Sequence, residues 1–440
     1  MTKQHPLTLL TPVKKGRKDE LLVLLNNINK TLQDHTETQF QKLKTTHYAR
    51  WFILSRESFR DEPAIPVSDR LVFSSNFDGD RDTHLTELAT VLSGYLDQLY
   101  ECCEDYPEPA ARTTESRKNY LEKWSIKCAA FFNGAPGRSL NQIHQEDFLH
   151  RFIWNYTTKN KWNGKSAVEI HLAIRQEVDS KPEFEWSKQK AKVQKEKWHV
   201  LIAYILFVAV PLLPFIILWA LYIFLFHELR DKYSPTKLSQ LNDKFVRNLE
   251  EVEDLFPQNQ FTQAVVMKPG FARSFNFQVW MLRTRVLANN IFVRGKLLNI
   301  PTIHFARWVS IDNNKHVLFF SNFDGNWQQY LGDFIDQSGW GLSGIFSNTV
   351  NFPTTRFMGI LGVIPGMPLR AKSTNFLLTG GAYDEEHFLA WSRSTQVPTQ
   401  VWYSPYPHLS IKNINSNSII RNELRTDLTE KQAQLFLKRI

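Results

Sequence analysis

Two sets of a histidine, an arginine and an aspartate recur in this chain at matching spacing. His47 and Arg50 lie three residues apart in Thr46-His47-Tyr48-Ala49-Arg50-Trp51, and the pattern returns as Ile303-His304-Phe305-Ala306-Arg307-Trp308. Asp78 belongs to Ser75-Asn76-Phe77-Asp78-Gly79, which returns around Asp324 as Ser321-Asn322-Phe323-Asp324-Gly325. An imidazole titrates near neutral pH, so His47 or His304 is a candidate general base or ligand to haem iron. A guanidinium at Arg50 or Arg307 suits an anion or a bound oxygen. The competing reading is structural. Each His would bond to the neighbouring strand, and each Arg would pair with Asp78 or Asp324 across a hairpin. Repetition fits that reading well, because a fold determinant is needed twice and a catalytic site usually once. If there is one site, His304, Arg307 and Asp324 are the better candidates, with the shorter hairpin and the richer aromatic surroundings.

The elements that would position these residues follow from the local pattern. Residues 46–54 are aromatic and β-branched, which predicts a strand. Alternation then puts His47, Ala49 and Trp51 on one face and Tyr48, Arg50 and Phe52 on the other. Residues 7–13 and 71–77 predict two further strands, and 128–132 a fourth. Residues 17–43 carry Leu21, Leu22, Leu25 and Ile28 at helical spacing, and 84–100 carry Leu85, Leu88, Leu92 and Leu96. Asp312-Asn313-Asn314-Lys315 suits a tight hairpin turn, and the first set has instead a longer loop containing Pro63 and Pro66. Asp78-Gly79 and Asp324-Gly325 each follow a strand and precede a helix, so the Asp is expected to cap that helix and the Gly to make the turn.

The match is wider than these motifs. Residues 76–107 align with 322–353 without a gap, at a constant offset of 246. Phe131-Phe132-Asn133-Gly134-Ala135-Pro136 resembles Trp402-Tyr403-Ser404-Pro405-Tyr406-Pro407, and Val13-Lys14-Lys15-Gly16 resembles Met267-Lys268-Pro269-Gly270. Blocks repeated in the same order indicate an internal duplication with the order β-α-β-β-α-β in each copy, the ferredoxin-like unit. One face of such a sheet is covered by helices and the other must be buried. The expected fold class is therefore α+β, with two ferredoxin-like repeats (1–150 and 259–440) pairing their open faces. A helical linker, 151–258, joins them.

This order and duplication resemble the dimeric α+β-barrel superfamily, with both halves in one chain. The His-x-Ala-Arg-Trp and Ser-Asn-Phe-Asp-Gly pair also resembles that of uncharacterised bacterial membrane-associated proteins of tandem layout, which supplies no activity. The superfamily includes dye-decolorising peroxidases, chlorite dismutases and small monooxygenases. The resemblance thus implies haem as a cofactor, although the glycine-spaced pattern of the peroxidase signature is absent. The Trp402–Pro407 motif either lines a cavity or caps the core.

Between the copies, residues 200–226 carry no charge over 27 positions. At ~1.5 Å per residue a helix of that length reaches ~40 Å, beyond the ~30 Å hydrocarbon core. Pro211 and Pro214 interrupt its centre. A single tilted span would put the two repeats on opposite sides of a membrane, so a re-entrant hairpin at about 199–227 is the preferred expectation, with the single span and a buried core hairpin as the alternatives. Lys188, Lys190, Lys192, Lys195 and Lys197 before the run, and Arg230, Lys232 and Lys237 after it, suit anionic lipid headgroups. The net charge is +9, but no nucleic-acid motif accompanies it. Three cysteines form no disulfide framework, which fits soluble repeats facing the cytoplasm. Metalloprotease, zinc, serine-hydrolase, phosphate-loop and dinucleotide motifs are absent. The expected function is that of a membrane-associated oxidoreductase, peroxidase- or monooxygenase-like, acting on an apolar or lipid-derived substrate. The alternative is a non-catalytic membrane-bound protein that binds an apolar small molecule or acts as a scaffold.

Overall fold

The computed structural model describes residues 2–34, 38–60, 67–191, 194–231, 237–293, 297, 300–354 and 381–440. Pro63, Pro66, Lys192 and Lys232 lie outside them. The class is α+β, built on two antiparallel sheets. The strands are β1 (Gln4–Pro12), β2 (Thr46–Leu54), β3 (Arg70–Asp78), β4 (Ser125–Ile126), β5 (Ala130–Asn133), β6 (Gln258–Val266), β7 (Ile303–Ile311), β8 (His316–Asp324) and β9 (Val401–Tyr403). The helices are α1 (Lys18–Gln33), α2 (Arg81–Val91), α3 (Ser93–Tyr100), α4 (Thr114–Lys123), α5 (Leu140–Lys159), α6 (Ala167–Asp179), α7 (Trp198–Tyr204), α8 (Leu213–Phe226), α9 (Asp243–Glu250), α10 (Phe271–Asn290), α11 (Trp327–Phe346), α12 (Glu385–Ser394), α13 (Ile411–Leu424) and α14 (Glu430–Leu437).

The first sheet runs β4-β1-β3-β2-β9 and the second β5-β7-β8-β6. The fourth strands are therefore exchanged. β5, expected beside the first sheet, pairs with β7, and β9 pairs with β2. Residues 125–133 pair first with β1 and then with β7. Residues 396–403 do the same on the other side, meeting β6 through Gln263 and then β2. The sheets are not closed into a barrel; one chain segment crosses each seam. The exchange leaves little room at the crossing. A Cβ on Gly134 would meet the Ile303 carbonyl oxygen at 2.2 Å and Ile411 at 3.1 Å.

Each sheet buries both faces. Ala49, Trp51, Ile53, Leu71 and Phe73 pack under α1 and α2 through Leu21, Leu25, Leu85 and Leu88. Ala306, Trp308, Val317 and Phe319 pack under α10 and α11 in the same way. The opposite faces meet each other, with Phe52, Leu54 and Val72 against Ala264, Val309, Leu318 and Phe320. The expected single helix over 84–100 breaks at Leu92 (φ −95°, ψ 15°), and α11 kinks at the aligned Ser338. The helix expected over 17–43 stops at Gln33, and a 3-10 turn, Gln39–Lys42, follows. In the hairpin between β7 and β8, Asp312, Asn313 and Asn314 all take positive φ (52°, 54° and 63°), a region Asn and Asp tolerate better than most residues. The tails of both halves join in one helical layer, where Leu149, Ile153 and Ile174 meet Ile420, Leu424 and Phe436. Residue 150, the expected end of the first repeat, falls inside α5.

The apolar insert departs from the expected hairpin. The Lys197 amide donates to the Asn290 carbonyl at the end of α10 (2.8 Å). Trp219 reaches Asn276 and stacks edge-on to Phe275, and Ile223 packs on Ala272 at its start. α7 and α8 therefore lie end to end, antiparallel to α10, and do not fold back on each other. Pro211 cannot donate, and a π turn over Ile205–Ala209 takes up the slack before it. The Leu212 amide still reaches the Val208 carbonyl (3.2 Å), while Pro214 sits in the first turn of α8, where its missing donor costs nothing.

The strand exchange gives a direct test. Gly134→Ala is expected to lower stability by about 1–3 kcal/mol through overpacking against the β7 backbone, measured by denaturant unfolding. A change within about 0.3 kcal/mol would argue against the β5–β7 crossing.

Candidate functional site

The residues singled out by type and spacing are brought together, but not in the expected pairs. A β-bulge between Thr46 and Tyr48 shifts the pairing of β2 with β3, and an identical shift falls between Ile303 and Phe305. A bulge re-aims a side chain. His47 leaves the face of Ala49 and Trp51 and joins Asp78 on the side of the sheet that meets the other sheet. Its Nε2 lies 3.0 Å from Asp78 Oδ1 and its Nδ1 2.8 Å from the Tyr406 hydroxyl. His304 Nε2 lies 2.6 Å from Asp324 Oδ1. Both histidines are 1% exposed.

Each aspartate also serves a helix, but not the expected one. Asp80 caps α2, accepting from the Thr83 amide (2.9 Å), and Asn326 caps α11. Asp78 Oδ2 instead accepts from the Leu140 amide at the start of α5 (2.6 Å), and Asp324 Oδ2 from the Ile411 amide at the start of α13 (2.7 Å). A carboxylate there meets the positive end of the helix. Gly79 and Gly325 make the expected turns, both at φ 86°.

The arginines do not pair with the aspartates. Arg50 crosses to the second sheet, donating to the Phe261 carbonyl (3.0 Å), Thr262 Oγ1 (2.8 Å), the Ser321 carbonyl (2.9 Å) and Asn322 Oδ1 (2.6 Å). Arg307 crosses the other way to the aligned groups. It donates to the Leu7 carbonyl (2.6 Å), Thr8 Oγ1 (3.1 Å), the Ser75 carbonyl (2.6 Å) and Asn76 Oδ1. These acceptors are neutral. Burial first, then the charge of Arg307, pulls Arg50 down to about 9; burial pulls Arg307 down to about 10. Both remain charged at neutral pH.

The cavity that touches His47 and His304 is about 10 Å³, the size of one water at most. With both nitrogens of His47 engaged and both rings enclosed, neither histidine fits haem, which needs an open iron-facing nitrogen and space for a macrocycle. No group of three or more His, Cys, Asp or Glu placed to hold a metal occurs among the described residues.

Space for a ligand lies elsewhere. A cleft of about 600 Å³ opens beside the Trp402–Pro407 motif, within the usual range for small-molecule sites. Leu32, Phe256, Trp402 and Pro405 give it apolar walls, and Lys44 and His144 give it polar groups. A smaller cleft sharing Leu32, Phe256 and Trp402 adjoins it. Burial, followed by the lesser push of His47, His408 and Arg151, holds His144 below the ordinary imidazole value despite Asp147. The His144 ring meets Tyr406 at 6.1 Å. Of these residues only the aromatic motif was visible as a candidate; nothing in the spacing around His144 marks it.

The ion pairs give a pH prediction. Burial would raise Asp78, but His47, the Leu140 amide and the Gln4 side chain outweigh it and hold the carboxyl below its ordinary value near 3.8. A depressed carboxylate contributes stability that is present above the unfolded value and lost as pH falls through the folded one. Stability is thus expected to decline as pH drops below about 4, with a shallower decline in Asp78→Asn, read by urea unfolding across pH. An identical slope in the variant would contradict this. Arg307→Ala strands several buried acceptors at about 1–3 kcal/mol each. It is expected to cost about 3 kcal/mol or more by the same assay, and a loss under 1 kcal/mol would refute the cross-sheet role. No protein-family model matches the sequence, and no curated protein and no solved structure matches it significantly.

Proposed function

We propose that this chain is a membrane-associated binding protein for an apolar, lipid-derived small molecule, built from two duplicated ferredoxin-like halves. The observation that carries the reading is the division of labour between two places. The repeated His, Arg and Asp are consumed in holding the sheets and tail helices together. The cleft beside Trp402 offers volume, apolar walls and a polar rim to a ligand. The duplicated reading is supported by equivalent bulges, equivalent arginine acceptors and equivalent aspartate-capped tails. The oxidoreductase alternative needs a reacting group that a substrate can touch. His47 and His304 lack that access, whereas His144, held below the ordinary imidazole value by burial, suits hydrogen bonding to a ligand's polar end. Lys44 at the rim suits an anionic head.

The membrane part rests on the apolar insert. α8 and its extension, Leu213–Arg230, form the one helix among the described residues that is long and apolar enough to cross a bilayer, with 11% of it buried. The exchanged strands keep the parts of the chain before and after it in one body, on one side of any membrane. The cytoplasmic face is the side we assign to that body.

Detergent-held full-length protein is expected to bind the fluorescent fatty acid cis-parinaric acid, added below its micelle concentration. Leu32→Trp, which fills the cleft, should weaken that binding at least about tenfold (~1.4 kcal/mol). Unchanged affinity in Leu32→Trp would place the probe elsewhere and overturn the cleft as the site.

A further inference from the structure

We propose that the insert lies in the plane of an anionic membrane leaflet beside α10, whose outer face is immersed with it. The inference rests on the membrane association proposed above and adds its geometry and a second embedded element.

α10 carries apolar side chains on two faces. Phe277, Trp280 and Met281 are buried against the second sheet. Phe271, Phe275, Val279 and Leu282 recur at helical spacing on the other side and are 78%, 43%, 45% and 52% exposed. An ordinary surface helix puts polar residues there. The insert runs antiparallel along this helix for most of its length, and Phe207, Phe215 and Leu218 are 79%, 69% and 63% exposed. Together they make a continuous apolar surface far larger than isolated exposed side chains.

The charges around this surface choose the occupant. Lys190, Lys195 and Lys197 before the insert, and Arg230 after it, are exposed. Of the nearest acids, Glu228 is buried at 6% exposure and the other two are engaged. Asp231 is held by Lys268 (2.7 Å) and Arg273 (2.5 Å), and Glu196 accepts from the Trp198 indole (2.8 Å). A positive margin around an apolar face matches anionic headgroups around an acyl layer. A second copy would bring the same lysines together, like charge on like. Trp198 and Tyr222, 52% and 41% exposed, suit the interfacial depth where amphipathic rings concentrate.

The orientation excludes a crossing. A hairpin would bring residues 198 and 226 together, whereas here they lie near opposite ends of α10, ~30 Å long for its 20 residues. A crossing would also part the exchanged strands β5 and β9 from their sheets. An in-plane helix needs neither.

The test uses full-length protein in a Cys128→Ser background, labelled with an environment-sensitive nitrobenzoxadiazole dye at Phe215→Cys, Phe271→Cys or, on the far side, Val23→Cys. Vesicles of phosphatidylcholine with a minor fraction of phosphatidylglycerol are added. Both Phe215 and Phe271 sites are expected to shift blue and to be quenched by lipid-borne spin labels, with Val23 unchanged. Paired Lys195→Glu and Lys197→Glu should weaken vesicle binding by about tenfold or more. A shift at Phe215 with Phe271 left aqueous overturns the in-plane arrangement while leaving membrane association intact. No shift at either site overturns the membrane reading itself. A shift that grows with protein concentration in the absence of vesicles assigns the surface to a second copy and overturns the proposal.

Discussion

Two buried guanidiniums, each reaching from its own sheet into the other, fix the register of this molecule. Removing a guanidinium from water costs several kcal/mol, and no carboxylate among the described residues pairs with either. What offsets it is a set of carbonyl, hydroxyl and amide oxygens that line up only when β2 sits over β6 and β8, and β7 over β1 and β3. A slip of one residue would turn those acceptors away and leave a charge buried without partners. Reciprocal arginines therefore penalise every packing but one, and they do so from both sides.

The rest of the architecture extends this constraint. Strand exchange means that neither sheet is complete without chain from the other half. Asp78 and Asp324 then tie the central strands of each sheet to the tail helices, since each accepts from its paired histidine and from the first turn of α5 or α13. The repeated His, Arg and Asp side chains of this layer are engaged with one another, with Tyr406 and with backbone groups, which leaves little for chemistry. The arrangement makes the centre rigid and moves any ligand to the periphery, where the Trp402 motif leaves β9 and meets α1 and α5.

Much of this was legible in the sequence. Strands β2, β3, β7 and β8 follow from residue type and alternation, because a buried strand is coded locally. The recurring sequence blocks suggested two sheets that would pair. What was not legible depends on partners distant in sequence. The bulge at His47 is a property of two strands, so alternation alone put the imidazole on the wrong face. Asp78 looked like a cap for the helix directly after it, but the amide that captures it is at Leu140, and Asp80 takes the local role. Arg50 seemed to want a nearby carboxylate, and five neutral acceptors around residues 260–262 and 321–322 serve instead. The two prolines of the insert suggested a reversal. Their effect is smaller, because a π turn and a first-turn position absorb the missing donors.

If the reciprocal arginines make the two sheets one cooperative unit, that unity is measurable without any ligand. Native-state hydrogen exchange across low denaturant concentrations should give the amides of Phe73 in β3 and Phe319 in β8 the same opening free energy and the same denaturant dependence, both equal to global unfolding. Opening free energies that differ by about 2 kcal/mol or more, with one sheet exchanging while the other stays protected, would contradict the account: the sheets would then be separate domains that merely touch.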